Sequence, residues 1–249
     1  MNTRQSKLLL AIIDQFIATA MPVGSKRLLE SGDFPFSSAT IRNEMSTLED
    51  EGFLEQPHIS AGRIPTAKGY RAYVSDLMEP STYERRVRLK FESLKEQYFR
   101  RKDQERAYEA VALLSQMIPN VAFATVPHKD RVYFLGLANA LKQPEFQLNP
   151  FLATGVVEVL EGRLANLLDR VEIDSQIRYY IGDEHVLSQI QSCSVMVTDY
   201  KLPAHRSPAG RDEGGRGEHG VIGILGPMRM DYGYNTVALD LVAGLLRSA

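Results

Sequence analysis

The 249-residue chain has no tryptophan, a single cysteine and no uninterrupted apolar run approaching the ~18 residues of a membrane span. The lone Cys193 excludes a disulfide within these residues and suits a reducing cytosol, so a cytoplasmic location is expected. It lies in the apolar word CSVMV, where a small buried hydrophobe is the favoured reading over a nucleophile. The N-terminus lacks the basic–apolar–small pattern of a signal peptide, and no membrane association is expected. An excess of one charge is missing too: 29 Lys and Arg face 31 Asp and Glu, leaving −2. Residues 1–78 carry eight basic and nine acidic side chains, so average charge does not advertise a polyanionic partner. Phosphate affinity, however, follows where cations cluster and not their sum.

Catalytic constellations are also missing. Histidines 58, 128, 185, 205 and 219 show no metal-ligand spacing. There is no phosphate loop, no Ser-His-Asp arrangement, and no carboxylate pair that periodicity puts on one face. Gly220, Gly223 and Gly226 step by threes, unlike the dinucleotide fingerprint, and read as strand and turn glycines. An enzyme is therefore not expected, nor a cofactor or metal. Arg229 and Asp231, after Pro227, read as an internal ion pair fixing a turn or as the polar end of a small-ligand pocket.

What is present centres on residues 36–71, FSSATIRNEMSTLEDEGFLEQPHISAGRIPTAKGYR. Ser37 is a candidate N-cap, and Ile41, Met45 and Leu48 share one helical face. The opposite face carries Ala39, Asn43, Ser46 and Asp50, with Thr40 and Arg42 at its edges. Small residues with many donors and acceptors suit a helix entering a DNA major groove. Gly52 should end that helix. A strand over 53–57, a turn over 59–62 and a return through Arg63 and Ile64 then make a wing, with Gly62 supplying conformational freedom. Arg63, beside it, is expected to stand outward and reach phosphates or a narrow minor groove. His58 reads equally as a DNA contact or as a hydrogen bond holding the hairpin.

Around this stretch, residues 3–19 predict an opening helix closed by Met21-Pro22, and Ser25 can cap a short helix containing Lys26 and Arg27. Thr66 caps a further helix over 67–78 that carries Lys68 and Arg71. The resulting unit, residues 1–78, is a winged helix-turn-helix. Residues 79–118 are charge-rich, with Tyr83, Val87, Phe91, Leu94 and Tyr98 in register. They predict a long amphipathic helix, broken at most near 100–104, which either connects domains or pairs two chains. Residues 119–249 predict mixed α/β structure. Its strands are expected at 121–126, 131–137, 177–181, 192–199 and 221–225, its helices at 151–171, 185–191 and 237–246, and a mobile loop at 201–219.

The words ATIRNEM (39–45), LEQPH (54–58), SAGRIP (60–65) and GYRAYV (69–74), with PVGS at 22–25, resemble the HrcA family of heat-inducible transcription repressors. GLANALKQPEF (136–146), IGDE (181–184) and GPMRMDY (226–232) resemble its C-terminal half. The resemblance implies a GAF-like C-terminal domain and a homodimer bound to an inverted-repeat operator of chaperone genes. It also implies a GroEL-type chaperonin as partner and release of the operator on heat stress. Family members usually carry an inserted dimerisation segment that this chain nearly lacks. In this reading Ser38, Thr40, Arg42 and Asn43 face base edges and Lys26, Arg63, Lys68 and Arg71 face phosphates. Ser25, Arg27, Ser37, His58 and Ser60 complete the expected DNA contacts. A module whose winged helix binds a protein instead of DNA remains the alternative, favoured by the neutral N-terminal domain.

Overall fold

The computed structural model describes residues 1–30, 34–98, 106–126, 129–164, 168, 172–185, 188–202 and 218–248. They fall into two compact units, Met1–Glu79 with Met228–Tyr232, and Pro80–Pro227 with Gly233–Ala249.

The first unit opens with α1 (Thr3–Thr19), whose N-terminus is closed reciprocally by Asn2 and Gln5. Leu8, Leu9, Ile12 and Ile13 form its buried stripe. It stops at Ala20, which takes a left-handed conformation (φ 54°), so the ending precedes Met21-Pro22. Helices α2 (Ser25–Glu30) and α3 (Ser38–Asp50) follow, the latter capped by Ser37 Oγ, which accepts from Thr40 N at 3.2 Å. Ile41, Met45 and Leu48 are buried, as their spacing predicts. Gly52 turns the chain at φ +77°.

The wing is shorter than expected: β1 (Leu54–Glu55) and β2 (Ile64–Pro65) pair antiparallel over two residues each. Val23 adds a third rung by exchanging backbone hydrogen bonds with Arg63, both 2.9 Å. Gly62 is needed for this approach and not for an unusual φ. A Cβ there would lie 2.4 Å from the Val23 carbonyl. Thr66 caps α4 (Ala67–Ala72), which continues as a wider turn through Tyr73–Leu77 and buries Tyr70 and Tyr73. The segment Met228–Tyr232 completes this unit. Tyr232 lies with its ring 5.7 Å from that of Tyr70 and 6.4 Å from that of Tyr73, and Arg229 Nη1 donates to Ile17 O at 2.6 Å.

In the second unit the expected long helix is a hairpin, α5 (Glu84–Tyr98) and α6 (Arg106–Met117). Lys90 Nζ donates to Met117 O at 2.9 Å, whereas one straight helix would hold those residues ~40 Å apart. The expected break at 100–104 lies outside the described residues. Val87 and Phe91 are buried within this chain, because α6 packs on α5. The apolar stripe offered as a chain-pairing face is thus already occupied.

A five-stranded antiparallel sheet follows, ordered β4-β3-β7-β6-β5. Its strands are β3 (Val121–Val126), β4 (Lys129–Leu135), β5 (Arg178–Ile181), β6 (Cys193–Leu202) and β7 (Glu218–Pro227). Strand side chains alternate between faces, and here both faces are buried. Phe123, Val195, Val197 and Leu225 enter one cluster with Phe146, Leu152, Val156 and Leu160. Ala122, Met196, Tyr200 and Ile224 on the other face are also fully enclosed. Gly223, opposite Phe123, leaves room for that ring, whose edge lies 2.5 Å from where a Cβ would stand.

Short helices α7 (Leu137–Ala140) and α8 (Pro144–Leu148) were not expected. Helix α9 (Pro150–Glu158) runs on as a wider turn through Val159–Arg163. The rest of the expected 151–171 helix falls largely outside the described residues. Single turns at Gly182–His185 and Ser188–Ile190 stand in place of the helix expected over 185–191. Of the loop expected at 201–219, positions 201, 202, 218 and 219 are laddered strand and 203–217 lie outside the described residues. Helix α10 (Tyr232–Arg247) closes the fold, tied to the sheet by Tyr179–Thr236 and Arg247–Thr198 hydrogen bonds.

Candidate nucleic-acid interface

The polar face of α3 is displayed as its periodicity demands. Ala39, Arg42, Asn43, Thr47 and Asp50 are exposed while Ile41, Met45 and Leu48 face the core. Arg4, whose guanidinium lies 4.5 Å above the Phe36 ring, bonds Glu44 at 3.1 Å and so ties α1 to α3. Lys26 and Arg27 on α2 are exposed, as are His58, Ile59 and Ser60 at the wing tip.

Several expected contacts are already engaged within the unit. Ser25 is 9% exposed, and its hydroxyl meets that of Ser38 at 3.1 Å. These two hydroxyls join α2 to α3 and are not presented to a partner. Ser37 is committed to its cap and, at 3.0 Å, to the Thr40 hydroxyl, leaving Thr40 half-buried.

Arg63 departs furthest from expectation. Its guanidinium donates through Nε at 2.8 Å and Nη2 at 2.7 Å to Glu49 Oε2, and its side chain is only 14% exposed. The physical reason is position: β1, which pairs with the return strand, packs on α3, so Arg63 lies beside Glu49 at that helix's end. A fork of fixed donors then finds a carboxylate nearer than any solvent-facing target. Lys68, though exposed, lies 4.5 Å over the Phe53 ring and donates to Glu51 O at 2.7 Å. Arg71 is half-buried. The outward-facing cations of the expected set are therefore Lys26, Arg27, Arg42 and Lys68, with Arg63 fastening the wing to α3.

Two features escaped the sequence reading. Thr47 continues the exposed face one turn beyond Asn43, a position that extending the same helical period would have found. Met228–Tyr232 belongs to this unit although some 150 residues separate it from Glu79, and nothing local in the sequence announces that. Burial, reinforced by the charge of Asp231, holds the Asp14 carboxyl above the usual carboxylate range.

In the second unit three titratable side chains lie in the interior. Burial pushes the Cys193 thiol up to about 12 and raises the Tyr200 phenol, which donates to Thr125 O at 2.5 Å. His185 is fully buried against Cys193 O, and burial lowers its basicity. Among the described residues no group of three His, Cys, Asp or Glu side chains is placed to hold a metal, and no helix is long and apolar enough to cross a membrane.

A winged helix-turn-helix with an outward polar recognition helix, joined in one chain to a GAF-like antiparallel α/β unit, defines a transcription-regulator architecture. Residues 78–234, more than half of the chain, match the family model described as HrcA protein C terminal domain, and the chain belongs to the HrcA family.

It is 28% identical over 347 aligned positions to a heat-inducible transcription repressor HrcA of Brevibacillus brevis, taking in 99% of this chain and 97% of that protein. The alignment far exceeds the chain's 249 residues, so part of that relative has no counterpart here. A Mycobacterium sp. (strain KMS) protein of the same name is 35% identical over 215 residues, covering 83% of this chain and 59% of that one. The chain thus spans under two thirds of the mycobacterial relative, in keeping with the shortened member expected. A crystal structure of a hypothetical protein superposes with a TM-score of 0.75 over the whole chain at 20% identity, a likeness of fold.

Proposed function

We propose that this chain is a sequence-specific DNA-binding repressor of heat-shock operons. The observation that carries the reading is the exposed face of α3, on which Arg42 and Asn43 stand side by side above a buried apolar stripe. Arg pairs bidentately with guanine and Asn with adenine, and a helix carrying both reads a major groove. Lys26 and Arg27, exposed at the start of α2, supply phosphate contacts that set register without reading sequence. Arg63 acts through Glu49: it holds the wing against the recognition helix. The family resemblance adds an inverted-repeat operator bound by two copies of the chain, a GroEL-type chaperonin that keeps the repressor competent, and release on heat stress.

Selection from a random duplex library with the full chain tests this, and an inverted repeat should be enriched. On the selected duplex Asn43→Ala should lose ~1–3 kcal/mol while binding to random DNA is unchanged. Lys26→Ala should weaken both alike and reduce the salt slope by about one. Equal losses for Asn43→Ala on both duplexes remove the base-reading role. One observation favours a second reading, a protein partner for the winged helix: the Arg63 charge is paired with Glu49, which thins the outward positive charge. No salt-sensitive retention on duplex DNA at low ionic strength would decide for it.

A further inference from the structure

Ile59 is 98% exposed, the most exposed large apolar side chain among the described residues. Scattered apolar exposure is ordinary and alone means nothing. Three further observations set this residue apart. A β-branched side chain occupies a tight turn, where Gly, Asn, Asp or Ser would satisfy the backbone better.

The turn is also built to hold still. Gln56 Nε2 donates to both Ile59 O at 3.0 Å and Ala61 O at 2.9 Å, and Ala61 N closes on His58 O at 2.8 Å. Behind it, the Val23 rung ties the ribbon to the segment before α2, and the Arg63–Glu49 pair ties it to α3. Finally, residues 56–66 contain no acid, while Asp50, Glu51 and Glu55 lie just before them. The tip is the part of this ribbon that a polyanion meets without repulsion.

We propose that Ile59 is a wedge that enters the minor groove of duplex DNA and partly unstacks one base step in each half-site. The inference rests on the DNA-binding reading above. Apolar side chains inserted in this way kink the duplex, and pyrimidine–purine steps give way most easily. Ile59 thereby contributes selectivity through deformability at a step whose base edges it never hydrogen-bonds. His58 and Ser60, exposed on either side, meet the sugar–phosphate walls.

The test uses the full chain and the duplex enriched by selection, with 2-aminopurine placed in turn at each step and end-to-end bending followed by fluorescence transfer. Wild-type chain should brighten one position per half-site and bend the duplex. Ile59→Ser should lose both signals and about tenfold in affinity, and Ile59→Met should restore them, since an unbranched apolar chain can still insert. Binding by wild type without brightening or bending overturns the wedge and leaves the DNA-binding reading standing. The same holds if Ile59→Ser behaves like wild type. Failure of the wild-type chain to enrich any duplex overturns both, and turns Ile59 toward a protein partner.

Discussion

The two units hold themselves together by different means. In the winged-helix unit α1 and α3 are full helices, but α2 and α4 have six residues each and the wing strands two. Segments of that length do not persist on their own propensity. They are kept by particular atoms: caps at Ser37 and Thr66, the Gly62 approach to Val23, the Arg63–Glu49 pair. The sheet unit has two ten-residue strands laddered over their whole length, with buried side chains on both faces. Both enclose apolar area, but the first depends in addition on these single contacts, and the second on continuous strand pairing. The lesson is that the first should fail at single contacts, the second only where its interior is charged or emptied.

The sharpest way to break that contrast is Tyr232→Ala. Removing a fully buried ring costs ~3–5 kcal/mol, and the loss should fall on the winged-helix unit although the residue lies next to the sheet unit in sequence. Amide exchange would show it: faster exchange in α1 and α4, unchanged exchange in β6 and β7. The opposite pattern would erase the division drawn here. Gly62→Ala comes next, at about 1–3 kcal/mol, because the new methyl meets backbone that cannot rotate away. Chemical denaturation should place that loss in the same unit.

Acidity sharpens the comparison further, since a group in each unit is shifted and the two contributions have opposite sign. His185 has a folded-state pKa below its ordinary 6.5, so the unfolded chain binds the extra proton. Stability of the sheet unit is then complete above 6.5 and falls as pH drops below it, and His185→Gln should flatten that fall. Asp14 has a folded-state pKa above 3.8, so the folded chain binds the extra proton there. That single contribution favours the folded winged-helix unit as pH falls toward 3.8, and because Asp14 also meets solvent, Asp14→Asn should raise the melting temperature only slightly at neutral pH. The smallest effect expected is at the exposed Glu84–Arg88 pair on α5, where Arg88→Ala should cost no more than ~0.5 kcal/mol in thermal melts.

Legibility follows the same division. The buried and outward faces of α3 were readable, because a period of 3.6 assigns each residue a direction without help from the rest of the chain. The caps at Ser37 and Thr66 and the turn at Gly52 were readable for the same local reason. Arg63 was misread because its orientation depends on Glu49, fourteen positions earlier, and on a rung from Val23 that no window around the wing contains. The hairpin of α5 and α6 was missed because each half carries an unbroken helical pattern, and only the pairing of Lys90 with Met117 tells a fold-back from a rod. Strand β3 was placed to the residue, while α7 and α8 are too short for periodicity to declare.

The place of Tyr232 between two tyrosines of α4 gives the winged-helix unit an unusual birth order. A ribosome delivers residues 1–79 early, yet the last piece of their interior arrives only after the whole sheet has been synthesised. A chain that stops short of that aromatic lacks the ring that packs against Tyr70 and Tyr73.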